Sequence, residues 1–168
     1  METINNTQKP QNRPVFLTVL CILTFIQTGF SVLTLLFTAV KGPATQAELQ
    51  QDEDKIMEAA AQMRATNMSG MADLLEKISD MSYYTNSMFY TMLFMNMLTI
   101  ALGFGGALLM WKGRKIGFHS YIIYNIVAIL TVYVAVPIKE VPAFVIILNV
   151  IFSSVFIFMY SRNLKWMK

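Results

Sequence analysis

The sequence predicts an all-α fold, a polytopic membrane four-helix bundle with an extracytoplasmic helical hairpin between spans one and two. Of the 168 residues, 55% are apolar and only 14% are charged, which departs from the composition of a typical soluble domain. Four stretches of 21 to 31 residues contain no Lys, Arg, Asp or Glu. About 20 apolar residues are needed to cross the hydrocarbon core, so each stretch predicts one membrane-spanning helix.

These stretches divide the chain into spans and connections. The apolar segment that follows Pro14 is longer than the apolar region of a signal peptide, which has about 7–15 residues, so we interpret it as a retained anchor. The predicted parts, in chain order, are a cytoplasmic N-terminal tail (1–14), span one (15–40), the hairpin (41–87), span two (88–111), a cytoplasmic turn (112–115), span three (116–136), an outer turn (137–142), span four (143–161) and a cytoplasmic basic tail (162–168).

The distribution of basic residues predicts the orientation. With the N-terminus inside, the inner segments hold eight Lys and Arg and one acidic residue, whereas the outer segments hold five basic and nine acidic residues. Short cytoplasmic segments retain positive charge, so both termini are expected inside. Trp111 and Trp166 lie beside the inner basic clusters, where interfacial aromatic residues are expected.

The long outer connection predicts two amphipathic helices. Thr45 and Glu48 match a capping box that starts the first arm. A break is expected at 67–70, after which the second arm runs without interruption into span two. The apolar residues of both arms form a predicted partner-contact face, which comprises Leu49, Ile56, Met57, Met63, Met71, Leu74, Leu75 and Ile78.

Each span keeps one amide and no charged residue. The amides form a predicted polar cluster in the bundle core, which comprises Gln27, Asn96, Asn125 and Asn149. They lie on stripes of small or polar residues at helical spacing, such as Ser31, Thr34 and Thr38 in span one and Thr99, Gly103 and Gly106 in span two. Two interpretations stay open: the amides bridge packed helices, or they line a polar cavity for a small uncharged or lipid-like ligand. The glycines of 103–106 favour a close helix crossing or a bend.

The spans carry no constellation typical of catalysis, so the sequence predicts no enzyme, no cofactor and no metal site. There is no carboxylate pair in a span, and neither His119 nor Cys21 has a catalytic neighbour. Nine of the 13 methionines fall between residues 57 and 97. They suit packing or partner contact, with Cu(I) binding as the alternative.

The basic residues at the predicted inner turn allow two roles. Lys112, Arg114 and Lys115 could contact anionic lipid headgroups, but three charges fit an ordinary topology signal better. The net charge of +3 does not lie on one face, which excludes a nucleic-acid partner.

The segment from Asn12 to Ile26, NRPVFLTVLCILTFI, resembles the start of a group of uncharacterised small four-span inner-membrane proteins of Gram-negative bacteria. The resemblance covers 15 of the 168 residues and implies a bacterial inner membrane and a four-helix layout, without an activity. The size is also similar to the four-span enzymes of eicosanoid and glutathione metabolism and to small multidrug transporters. The charged positions within the spans of those families have no counterpart here.

The sequence therefore predicts an integral inner-membrane protein whose function is non-catalytic. The first hypothesis is an accessory or assembly subunit that uses its hairpin to bind a membrane or periplasmic protein partner, or a second copy of itself. The alternative is a small transport or lipid-handling protein that uses a central polar cavity.

Overall fold

A computed structural model describes residues 13–168, so nearly all of the predicted tail 1–14 lies outside the described residues. Residues 13–168 form six α-helices and no β-strand: α1 (Val15–Lys41), α2 (Gln46–Ala65), α3 (Ser69–Ser87), α4 (Phe89–Trp111), α5 (Ile116–Ala135) and α6 (Ala143–Ser161). Helices α1, α4, α5 and α6 are each long and apolar enough to span a membrane. The predicted all-α membrane bundle is confirmed.

The four spans form a ring that is only partly closed. Helix α4 packs closely against α5, α1 packs against α4, and α6 packs against α5, whereas α1 and α6 meet over a short region. Their contact includes a buried hydrogen bond of 2.8 Å between the hydroxyls of Thr24 and Tyr160. We call the end that holds the α4–α5 turn the turn end, and the end that holds α2 and α3 the hairpin end.

The packed core lies in the half of the bundle nearest the turn end. Its fully or nearly fully buried side chains are Leu17, Leu20, Cys21, Met110, Phe118, Tyr121, Tyr160 and Met167. The rings of Tyr121 and Tyr160 are tilted against each other at 4.7 Å between centroids. In α1 no residue beyond Thr28 is buried, so α1 is packed less tightly toward the hairpin end.

Two glycines allow α4 and α5 to cross closely. A Cβ atom on Gly117 would lie 2.6 Å from the Gly106 carbonyl oxygen and 2.6 Å from the Met110 nitrogen. A Cβ atom on Gly106 would lie 3.1 Å from the Gly117 carbonyl oxygen. Because the obstacles are backbone atoms, the crossing requires glycine at Gly117, and the close crossing predicted from residues 103–106 is confirmed.

The hairpin begins with the predicted capping box. The Thr45 hydroxyl accepts a hydrogen bond from the Glu48 N–H (3.3 Å), and the Glu48 carboxylate accepts one from the Thr45 N–H (2.8 Å). Residues between Ala65 and Ser69 separate α2 from α3, and Asn67 takes a positive φ of 62°.

The prediction that the second arm continues unbroken into span two is wrong at Met88. This residue has φ −110° and ψ 31°, which ends α3 before α4 begins. Just before it, the hydroxyls of Thr85 and Ser87 donate to carbonyls of their own helix, an arrangement that bends helices. Helix α3 consequently reaches over to contact α5. Its first residues face the start of α6 across a cleft of about 420 Å³.

Candidate functional site

A groove of about 930 Å³ lies between α1 and α4 and is covered by α2 and α3. We call it the hairpin groove. Four of the lining residues carry an amide or a charge, namely Gln27, Asn86, Asn96 and Asp52. The other lining residues are apolar, small or hydroxyl-bearing. The remaining lining residues are Thr28, Phe30, Ser31, Thr34, Leu35 and Thr38 of α1, Gly42 and Ala44 of the connection, Leu49 and Ile56 of α2, Ile78, Ser82 and Thr85 of α3, Phe89, Met92, Leu93, Thr99 and Ile100 of α4, and Tyr124 of α5.

The floor of the groove is formed where the packed core ends. Gln27 and Tyr124 meet there, and the Gln27 amide donates a long hydrogen bond of 3.5 Å to the Tyr124 hydroxyl. One turn deeper in α1, the bond between Thr24 and Tyr160 closes the bundle. The groove is therefore a blind recess in the hairpin-end half, because the tightly packed turn-end half blocks a continuous path.

One asparagine of α3 fixes the cover of the groove to the connection between α1 and α2. The Asn86 side-chain oxygen accepts from the Ala44 N–H (2.8 Å), and the Asn86 side-chain nitrogen donates to the Ala44 carbonyl (3.0 Å). Beside this pair, Lys41 lies 3.4 Å from Glu48. Hydrogen bonds from the backbone and hydroxyl of Thr45, together with Lys41, hold the pKa of Glu48 below its ordinary value. Helix α2 thus starts at a defined position above the groove.

Polar contacts hold the two arms of the hairpin together. The Arg64 guanidinium lies 2.9 Å from Asp73 and 2.6 Å from Glu76. The hydrogen bond from Arg64 lowers the pKa of Glu76, and these carboxylates raise the pKa of Arg64. At the other end of the arms, the Tyr83 hydroxyl donates to Glu53 at 2.7 Å, which raises the pKa of Tyr83.

The lining of the groove is amphipathic along α1 and α4. The Ser31 and Thr34 hydroxyls donate to carbonyls one turn back in α1, and the Thr99 hydroxyl does the same in α4. The hydroxyl hydrogens are used within the helices, and the same three residues line the groove. Gln27 and Thr34 are exposed, so the groove is open at its side rather than enclosed.

The structure brings together part of the predicted amide cluster. Gln27 and Asn96 line the hairpin groove, together with the predicted stripe residues Ser31, Thr34 and Thr38. Asn125 is buried and donates to the Tyr121 carbonyl of its own helix (2.7 Å). Asn149 is exposed on α6 and donates to the Val145 carbonyl. The four amides therefore do not converge on one axis, because α6 contacts the ring chiefly through α5.

The predicted partner-contact face is divided between two surfaces and solvent. Leu49, Ile56 and Ile78 line the hairpin groove, and Met71 and Leu74 line the cleft beside α6. Met63 and Leu75 are half-buried. Met57 is exposed and lies in neither recess. Five of these eight residues thus line one of the two recesses.

The predicted headgroup cluster lies on the α4–α5 turn. Lys112, Arg114 and Lys115 are all exposed there. The C-terminal segment lies against the same turn, a contact that the sequence did not predict.

Asn86 and Tyr124 were not predicted as site residues. Asn86 contacts a residue 42 positions away and Tyr124 contacts one 97 positions away, and no local pattern marks either. The sequence signals that pointed to the groove were the amides Gln27 and Asn96 and the hydroxyl stripe of α1.

No metal centre is evident within the described part of the chain, where no three His, Cys, Asp or Glu side chains cluster. Of the methionines considered for Cu(I), Met68 and Met71 are exposed near the hairpin tip and Met92 lines the groove. Cu(I) binding stays the untested alternative to packing or partner contact.

Comparison with known proteins returns no relative. No family model, no curated protein and no solved structure matches the chain.

Proposed function

We propose that this protein is a non-catalytic membrane protein that binds a lipid-like molecule in the hairpin groove. The observation that carries the proposal is the groove itself, an open recess of about 930 Å³ between α1 and α4. Ligand sites in proteins have volumes of about 300–1,000 Å³ and combine an apolar lining with a few polar groups. The hairpin groove has both properties.

The chemistry of the lining favours an amphipathic, weakly charged ligand. Phe30, Leu35 and Leu93 offer apolar surface along the walls, where an acyl chain would replace contacts with membrane lipid. The amides and hydroxyls supply hydrogen-bonding groups, and Asp52 in the cover is the one charged group in the lining. Charge is costly within hydrocarbon, so a headgroup would lie near the cover and a chain would lie between α1 and α4.

The proposed orientation places the hairpin outside and the turn end in the cytoplasm. It is supported by the excess of basic residues in the turn-end segments and by the acidic residues of 48–80 and Glu140 in the hairpin-end segments. The resemblance of residues 12–26 supports a bacterial inner membrane. In this orientation the groove opens toward the outer half of the bilayer, so its ligand would come from that leaflet.

A pair of matched variants tests the groove. Ser31→Phe places a ring in the groove, because Ser31 lines it. Ser154→Phe introduces the same ring at an exposed position of α6 that lies outside the groove. The purified full chain is labelled with a phospholipid that carries a photoactivatable group on its acyl chain, and the labelled peptides are identified by mass spectrometry.

The expected result is labelling of α1 and α4 peptides in the wild type and in Ser154→Phe, with a large loss in Ser31→Phe. Equal labelling of those peptides in Ser31→Phe and Ser154→Phe would contradict the proposal. Equal thermal midpoints of the two variants establish that the loss reflects a filled groove rather than unfolding.

A second candidate function is the accessory subunit that binds a partner protein through the hairpin. Met57, Met68 and Met71 favour it, because each of these residues is 45–48% exposed and methionine is common on surfaces that accept partners. Met57→Gln with Met68→Gln leaves the groove lining intact. This candidate predicts that the double variant loses a stoichiometric protein partner on purification while lipid labelling persists.

A further inference from the structure

The segment after α6 folds back onto the α4–α5 turn. The Lys168 N–H donates to the Gly113 carbonyl (2.7 Å), and the Lys115 N–H donates to the Lys168 carbonyl (3.0 Å). The Trp166 ring lies against Gly113, where a Cβ atom would be 3.1 Å from it. Met167 is 2% exposed and belongs to the packed core. The segment is therefore fixed against the turn by backbone bonds and by packing.

This fold-back unites two basic segments that are far apart in the sequence. Six exposed basic residues come to the turn end on these segments: Lys112, Arg114, Lys115, Arg162, Lys165 and Lys168. Within residues 13–168 every acidic residue belongs to the hairpin-end segments, and the ion pairs found there join residues between 41 and 76. Six basic residues fall within the range of about four to eight that is typical of binding to anionic lipids.

A buried donor lies next to this surface. The Arg13 guanidinium lies 4.0 Å above the Trp111 ring, at the turn-end terminus of α4. Its Nε atom is buried and has no hydrogen-bond partner among the described residues. Buried donors are nearly always satisfied, so this nitrogen can donate to an acceptor that lies beyond the described residues, such as a phosphate oxygen.

We infer that the turn and the C-terminal segment together bind the phosphate of an anionic phospholipid. Trp111 and Trp166 lie at this end, and tryptophan prefers the level of lipid headgroups. Ile116, directly after the turn, is 62% exposed and offers apolar surface for a lipid chain beside the basic residues. A lipid, unlike a soluble anion, would contact both the basic residues through its phosphate and the apolar surface through its chain. This site lies at the opposite end of the bundle from the hairpin groove and does not depend on it.

The test compares two double variants of the full chain. Lys165→Gln with Lys168→Gln removes two charges of the C-terminal segment and leaves the turn unchanged. Lys77→Gln with Lys139→Gln removes two exposed charges at the hairpin end and is the matched control. Each protein is equilibrated in mixed micelles with equal amounts of phosphatidylglycerol and phosphatidylcholine, and the retained lipid is measured by native mass spectrometry.

The wild type and the control are expected to retain phosphatidylglycerol in preference to phosphatidylcholine. Each basic residue near an anionic surface contributes about a fivefold factor in affinity, so the Lys165 and Lys168 variant should lose most of this preference. Lys112→Gln with Lys115→Gln should cause a similar loss, because both segments contact one headgroup.

Three results would overturn the inference. One is an unchanged preference in the Lys165 and Lys168 variant, which would show that the turn acts without the C-terminal segment. Another is an equal loss in the Lys77 and Lys139 control, which would show a general effect of net charge. The third is displacement of phosphatidylglycerol by inorganic phosphate at equal concentration, which would indicate a site for soluble anions. Unchanged thermal midpoints in phosphatidylcholine alone show that the variants are folded.

Discussion

The crossing of α4 and α5 yields a prediction whose magnitude follows from the structure. In Gly117→Ala, the new methyl group would lie 2.6 Å from the Gly106 oxygen and from the Met110 nitrogen. Ordinary van der Waals contact begins at 3.4 Å, so the two helices must separate by roughly 0.8 Å at this point. A gap of this size forfeits about a quarter to a half of each dispersion contact.

The expected cost is about 3 kcal/mol in the free energy of unfolding, the upper part of the range for overpacked sites. It lies at the upper part because the obstacles are backbone atoms of a rigid helix and cannot rotate away. Reversible unfolding in mixed micelles, followed by circular dichroism, measures the change.

Gly105→Ala is the matched control, since nothing lies within 4 Å of a Cβ atom at that position. Alanine is the better helix former by up to about 1 kcal/mol, so this variant should be neutral or slightly more stable. If Gly117→Ala unfolds with the same free energy as Gly105→Ala, the close crossing of α4 and α5 is wrong.

Two further predictions concern the bundle closure and the hairpin. Thr24→Val removes the hydrogen bond to Tyr160 and should lower the free energy of unfolding by about 0.6 kcal/mol, and by at most about 1.7 kcal/mol. The control is Thr131→Val, because the Thr131 hydroxyl bonds within its own helix. Equal losses in the two variants would refute the role of the bond between Thr24 and Tyr160. Because Arg64 lowers the pKa of Glu76 from its ordinary value of 4.5, the stabilisation of the hairpin is complete above pH 4.5 and is lost as the pH falls through the lowered pKa. Hydrogen exchange of α2 and α3 amides, corrected for intrinsic rates, should therefore accelerate at acid pH, and unchanged protection would contradict the contribution of this ion pair.

The elements could be predicted because their signals are local. Four uncharged stretches identify the spans, and the pair Thr45 and Glu48 identifies the start of α2, since a capping box needs only four consecutive residues. The hydroxyl stripe of α1 likewise indicates a polar face, and this face lines the groove. Each of these patterns lies within a sequence segment of a few helical turns, so it can be recognised without knowledge of the tertiary structure.

The site could be predicted only in part because its geometry depends on non-local contacts. Asn86 bonds to Ala44, and Lys168 bonds to Gly113, and neither pair shares a sequence pattern. The bend at Met88 has no proline or glycine beside it, so the turn of α3 toward α5 was missed. Asn149 followed the spacing of a core amide, but the weak contact between α1 and α6 leaves it exposed.

The central claim, that the hairpin groove holds a lipid-like molecule, is tested most directly by the native mass of the full chain purified in a mild detergent. The account predicts a reproducible bound species with the mass of a lipid in the wild type and in Ser154→Phe, and its loss in Ser31→Phe. A wild type that carries no lipid, or a Ser31→Phe variant that keeps the same lipid in the same amount, would contradict it.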